Sequence, residues 1–99
     1  MMVVIVTSNV ADRFRGFLAS CMLEIAPGVY TAPRMSRAVR ERVWTVLREW
    51  YEQFGGSSIV MTWRDSGEPC GQGIATLGLP DRTFAELDGG LVTTVTCKI

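Results

Sequence analysis

The sequence predicts an α+β sandwich, with two helices packed on one face of a mainly antiparallel sheet, and three observations carry that expectation. A continuous β-branched run, Val3–Val6, opens the chain. Two later segments repeat apolar residues at three- and four-residue steps, and each stops at glycine or proline. Short apolar runs separated by turn residues then fill the second half.

The chain has 99 residues, enough for one compact domain, 1–99, and too few for two independent cores. Val3, Val4, Ile5 and Val6 read as a central strand buried on both faces. Asn9, followed by Asp12, reads as a helix start with a capping side chain and a first-turn carboxylate. Phe14, Phe17, Leu18, Cys21, Met22 and Ile25 give that helix an apolar face as far as about Ile25, where Pro27 and Gly28 end it. Val29–Ala32 is a short strand, and Pro33 turns the chain into a second helix capped by Ser36. Val39, Val43, Val46, Leu47, Trp50 and Phe54 form its buried stripe, and Gly55 with Gly56 closes it. Ile59–Trp63 and Ile74–Leu77 read as antiparallel strands around a polar loop, 64–73. After a turn at 78–82, Leu91–Val95 is a last short strand, with 91–99 forming a C-terminal strand and tail. This order describes a ferredoxin-like sandwich with an extra C-terminal strand. An open sheet face and open edges on so small a domain predict a homodimer.

Composition narrows the chemistry. With 47% hydrophobic and 20% charged residues the chain is an ordinary globular protein. Histidine is absent, which excludes imidazole-based triads, histidine metal sites and histidine proton shuttles. Cys21, Cys70 and Cys97 are widely spaced and form no C-x-x-C pair, so neither a disulfide framework nor a zinc site is indicated and a reducing cytoplasm is expected. There is no long apolar run, so no membrane association is expected.

The net charge is zero, but as a cancellation. Arg13, Arg15, Arg34, Arg37, Arg40, Arg42 and Arg48 face only Asp12, Glu24 and Glu41 in residues 1–48, a net charge of +4. Residues 49–99 carry −4, with Arg64, Arg82 and Lys98 against seven acids. Nine of the ten basic residues are arginine, whose planar fork suits phosphate and carboxylate, although GC-rich codon usage gives the same bias.

Motifs in order along nearly the whole chain carry a family resemblance: V-V-I-V-T-S-N-V-A-D-R-F-R-G, L-E-I-A-P-G-V-Y, V-R-E-R-V-W, I-V-M-T-W, L-G-L-P-D-R and E-L-D-G-G-L-V. Together they resemble the small CRISPR adaptation protein Cas-two in its type I-E form. The resemblance implies a ferredoxin-like homodimer that bridges two dimers of the Cas-one integrase and binds the backbone of incoming protospacer DNA. It also implies that the C-terminal segment docks on the integrase by strand addition, here through Leu91, Val92 and Val95. Other branches of the family are metal-dependent endonucleases acting on RNA or DNA.

Arg13 and Arg15 match the type I-E positions that hold duplex phosphates. At a helix start, where the dipole is positive, two cations are locally unfavourable unless an anion docks there; pairing with Asp12 is the plainer alternative. Arg82 matches the second residue of an arginine pair, with Asp81 in place of the first. Arg37 lies beside the position of a family lysine. Arg40, Trp44 and Arg48 share one side of the second helix, either as a nucleic-acid stripe or as a surface held by cation–π contacts and ion pairs. A family nuclease needs a carboxylate at the tip of strand one to hold Mg²⁺, and this chain has Ser8 there, with Asp12 one turn away. Little or no nuclease activity is therefore expected. Scaffolding requires no cofactor, and magnesium enters only if the nuclease reading holds.

Overall fold

The computed structural model describes residues 1–78, 82–87 and 90–95, with side chains over 1–78. Seven strands and two helices follow in the order β1 (Val3–Ser8), α1 (Asp12–Cys21), β2 (Leu23–Ala26), β3 (Val29–Ala32), α2 (Arg37–Phe54), β4 (Ser58–Arg64), β5 (Gln72–Leu77), β6 (Arg82–Leu87) and β7 (Gly90–Val95). The first five strands form one sheet in the order β2-β3-β1-β4-β5, with every neighbouring pair antiparallel. This is the ferredoxin-like arrangement with β5 added at one edge. Strands β6 and β7 pair with each other as a separate hairpin.

Register decides which face is buried. Ile5 sits opposite Tyr30 on one side and Met61 on the other, so these three share a face. With Val3 and Ile59 they are fully buried against Phe14 and Leu18 of α1 and Val43 and Leu47 of α2. The opposite face of β1 stays open, with Val6 at 42% exposure and Val4 half-buried. The expectation of a strand buried on both faces is corrected here: β1 is central, but both helices cover the same side of it.

Helix α1 is shorter than its periodicity suggested. It ends at Cys21, where Met22 turns extended (φ −138°) and its N–H donates to the Leu18 carbonyl. Leu23–Ala26 then pairs with β3, leaving Leu23 and Ile25 exposed at 67% and 59%. The Pro27-Gly28 pair is thus a hairpin turn rather than a helix stop, with proline followed by a positive-φ glycine (φ 78°) as in a type II turn. A side chain at Gly28 would meet the Thr7 carbonyl oxygen at 2.6 Å. The missed strand is the one that completes the split β-α-β unit.

The two helix starts also differ. Ser36 caps α2 as expected, accepting from the Val39 N–H at 3.2 Å. Asn9 does not cap α1: Ala11 occupies the cap position without a side-chain bond. Asn9 instead adopts a left-handed conformation (φ 51°), and its Nδ2 donates to Ser57 Oγ at 3.3 Å. That bond braces the β1–α1 turn against the α2–β4 turn. Gly55 closes α2 with a positive φ of 68°.

In α2, Val43 and Leu47 are buried as expected, whereas Val39 and Phe54 are exposed at 40% and 49%. Arg40 takes a buried place instead, at 7% exposure. Among the described residues no helix is long and apolar enough to cross a membrane.

Candidate nucleic-acid interface

The start of α1 presents two arginines on different sides, because residues two apart on a helix do not face each other. Arg13 leans toward the C-terminal end of α2. Its guanidinium carbon lies 4.5 Å from the Phe54 ring centre and 5.5 Å from that of Trp50. Trp50 in turn is edge-on to Phe14 and Phe17, so the aromatic platform is anchored in the core. Arg13 forms no ion pair among the described residues. Its charge faces solvent over an aromatic floor.

Arg15 leans toward the sheet. Its nearest carboxylate oxygen is on Asp12 at 4.0 Å, an exposed pair of the kind that contributes little. The guanidinium also acts on the buried Tyr30 hydroxyl. Burial pushes that hydroxyl's pKa up, Glu24 adds to the rise, and Arg15 opposes it. The hydroxyl nevertheless closes no hydrogen bond. Arg15 is therefore engaged electrostatically with its own fold while staying exposed. With Ala11 as an uncapped start, no side chain satisfies the first-turn N–H groups, while that of Phe14, between the two arginines, donates to the Ala11 carbonyl at 3.0 Å.

The other expected contacts are not gathered at this point. Arg37 opens α2 and is tied to Glu41, its Nε donating to Oε1 at 3.1 Å. It lies thirteen residues from Trp50 on the same helix, roughly 20 Å along the axis at 1.5 Å per residue. The Arg82 backbone begins β6 opposite Val95, and its side chain lies outside the described residues, as does Asp81. Leu91, Val92 and Val95 lie in β7, opposite Glu86, Ala85 and Arg82 of β6. The C-terminal strand thus pairs first within its own chain, with Arg82–Leu87, a strand beyond the predicted turn at 78–82 that the sequence does not announce.

Ser8 ends β1 opposite Ser58, and Asp12 projects fully into solvent at the first residue of α1. Among the described residues no three carboxylate or thiol side chains come together as a metal site.

This ferredoxin-like sheet, with its arginine-bearing helix start, coincides with a family match over nearly the whole chain: the model of a CRISPR-associated protein family (Cas_Cas2CT1978) covers residues 2–92. The chain belongs to this family. It is therefore a Cas-two-type CRISPR protein, and the match spans both helices, the five-stranded sheet, β6 and the start of β7.

Sequence reasoning missed one feature of this Cas-two-type chain. Arg40 stacks on Trp63 of β4, its guanidinium carbon 3.9 Å above the ring centre. The cation–π contact expected on that side of α2 is present, but it is buried and made to the sheet. A readable signal was the β4–β5 hairpin itself, whose register sets Trp63 opposite Gly73. A Cβ on Gly73 would fall 2.1 Å from the indole, so glycine there marks a large ring lying flat on the neighbouring strand.

Proposed function

We propose that this Cas-two-type protein is a non-catalytic dimeric scaffold of CRISPR spacer acquisition, which bridges integrase dimers and holds the backbone of incoming duplex DNA. The observation that carries the reading is Arg13, an exposed guanidinium without an ion pair among the described residues, presented beside an uncapped helix start. Phosphate oxygens suit both the guanidinium fork and the free N–H groups. Arg15 supplies a second cation one side over. The open, apolar sheet face around Val4 and Val6 supports a second copy as the dimer partner. The β6–β7 hairpin offers the integrase an unpaired strand edge. Ser8, in place of a carboxylate at the β1 tip, weighs against cutting.

If Arg13, Arg15 and Arg82 of two protomers each neutralise a phosphate, duplex binding by the assembled integrase complex should show a salt slope of about −5. Replacing Arg13 and Arg15 together with alanine should bring that slope to about −2. An unchanged slope overturns the assignment, and magnesium-dependent cleavage lost in Asp12→Asn would replace the scaffold with a nuclease.

A further inference from the structure

Arg40 is a charged side chain inside the fold, 7% exposed, and its Nε has no hydrogen-bond partner. The nearest carboxylate, Glu41, is 4.0 Å from a terminal nitrogen and already holds Arg37 at 3.1 Å. Trp63, beneath the guanidinium, has its own buried Nε1–H without an acceptor. Two orphaned donors therefore sit in one stack, where the loss of water is uncompensated.

Both residues border the same cavity, about 310 Å³, between α2 and the β4–β5 hairpin. Trp44 and Arg48 line its helical side one and two turns beyond Arg40, and Met61 and Ala75 line the sheet side. Trp44 is half-buried and Arg48 exposed, so the cavity runs from a charged mouth past an indole to a buried guanidinium. The volume lies at the small end of ligand pockets and exceeds what one carboxylate would fill. An indole beside arginines is the combination that takes a base by stacking and its phosphate by charge-assisted hydrogen bonds.

We propose that this cavity is a nucleotide site, in which Arg40 holds the phosphate at the buried end and Trp44 stacks on the base, with Arg48 at the mouth. The phosphate supplies the acceptor that the Arg40 Nε lacks, and the Arg40 guanidinium, with Arg48 farther out at the mouth, offsets its charge. Glu41 at the rim is neutralised by Arg37 and turned to it. The site is separate from the Arg13 platform and does not rest on the scaffold reading. Its ligand is either a free mononucleotide or the phosphorylated end of a single strand, which share this chemistry.

The test is calorimetric titration of the full chain with AMP, GMP, CMP and UMP, with inorganic phosphate, with a tetranucleotide bearing a 5′-phosphate or a 5′-hydroxyl, and with a short acidic peptide. Saturable binding of a mononucleotide, or of the 5′-phosphorylated strand over its hydroxyl form, is expected, and which of them binds more tightly identifies the source. Trp44→Ala and Arg48→Gln, each checked for an intact melting transition, should weaken binding about tenfold. Arg40→Met should abolish it. Absence of binding to every nucleotide and to phosphate, binding of the acidic peptide alone, or affinity that survives Trp44→Ala and Arg48→Gln would each overturn the proposal.

Discussion

Two arginines lie over aromatic rings in this protein, and the same contact does different work in the two places. Arg13 rests on Phe54 and Trp50 at the edge of the molecule, where water and counterions solvate its charge. Arg40 rests on Trp63 at 3.9 Å, inside the sandwich, with an unpartnered Nε. An exposed cation–π pair stabilises by roughly 0.5–1 kcal/mol and leaves the cation free for a second partner. A buried one still has the charge to satisfy, because an indole face is a weak substitute for lost hydration. At Arg13 the aromatic platform presents a charge, whereas at Arg40 it stores one.

The largest effect should come from breaking the buried stack through its floor. Gly73→Ala places a methyl group where the Trp63 indole now lies, 2.1 Å from the nearest ring atom. Either the indole or β5 must move, and overpacking of this kind destabilises by about 1–3 kcal/mol. Urea denaturation measures it, and an unchanged midpoint would mean that the ring does not lie flat on that strand.

The next test sets the two arginines against each other. Arg40→Met keeps an unbranched stem in the cavity wall and removes the buried charge, so it should leave stability unchanged or raise it by about 1–2 kcal/mol. Arg13→Met removes an exposed contact and should lower stability by no more than about 1 kcal/mol. The signs are expected to differ, and thermal melts of the two variants at equal concentration show whether they do. A loss of several kcal/mol in Arg40→Met would mean that Arg40 is held by protein groups after all.

Much of the fold was legible because local signals agreed with tertiary ones. Val29–Ala32 lies between a Pro-Gly turn and Pro33, so its bounds are set by punctuation, and Ser36 caps α2 by a bond within its own first turn. Strand β2 was hidden because Ile25 continues the three- and four-residue spacing of α1; only pairing with β3 ends the helix at Cys21. Strand β6 was hidden because Glu86 and the acids flanking the strand lower its β propensity, while its stability depends on β7. At the candidate interface, Arg13 and Arg15 could be read as unfavourable charges at a helix start, but their divergence toward α2 and the sheet depends on neighbours distant in sequence. The burial of Arg40 was illegible for the same reason. Trp63 and Gly73, on strands distant from Arg40 in sequence, create it from the helix-facing side of the sheet.

Tyr30 provides the smallest and most discriminating contrast, since its hydroxyl is another buried polar atom without a hydrogen bond. The side chain is fully buried and does not line the cavity between α2 and the β4–β5 hairpin, so a ligand bound there does not meet the orphaned group. If the cavity is what distinguishes Arg40, then Tyr30→Phe should be silent toward nucleotides and change stability at neutral pH by less than about 1 kcal/mol. The effect should instead appear in alkali. Burial first, and Glu24 second, raise the Tyr30 pKa above the ordinary value of 10.0, against the pull of Arg15. The unfolded chain then ionises before the folded one. The contribution of the neutral hydroxyl is fully present below about pH 10 and is lost as pH rises from there through the higher folded value. Wild type should therefore lose more stability than Tyr30→Phe across that alkaline window, and paired urea titrations at neutral pH and above pH 10 measure the difference. Equal alkaline losses in the two proteins would mean that the Tyr30 hydroxyl ionises as easily folded as unfolded. Its burial beside Arg15 would then place no constraint on that arginine's freedom to turn outward.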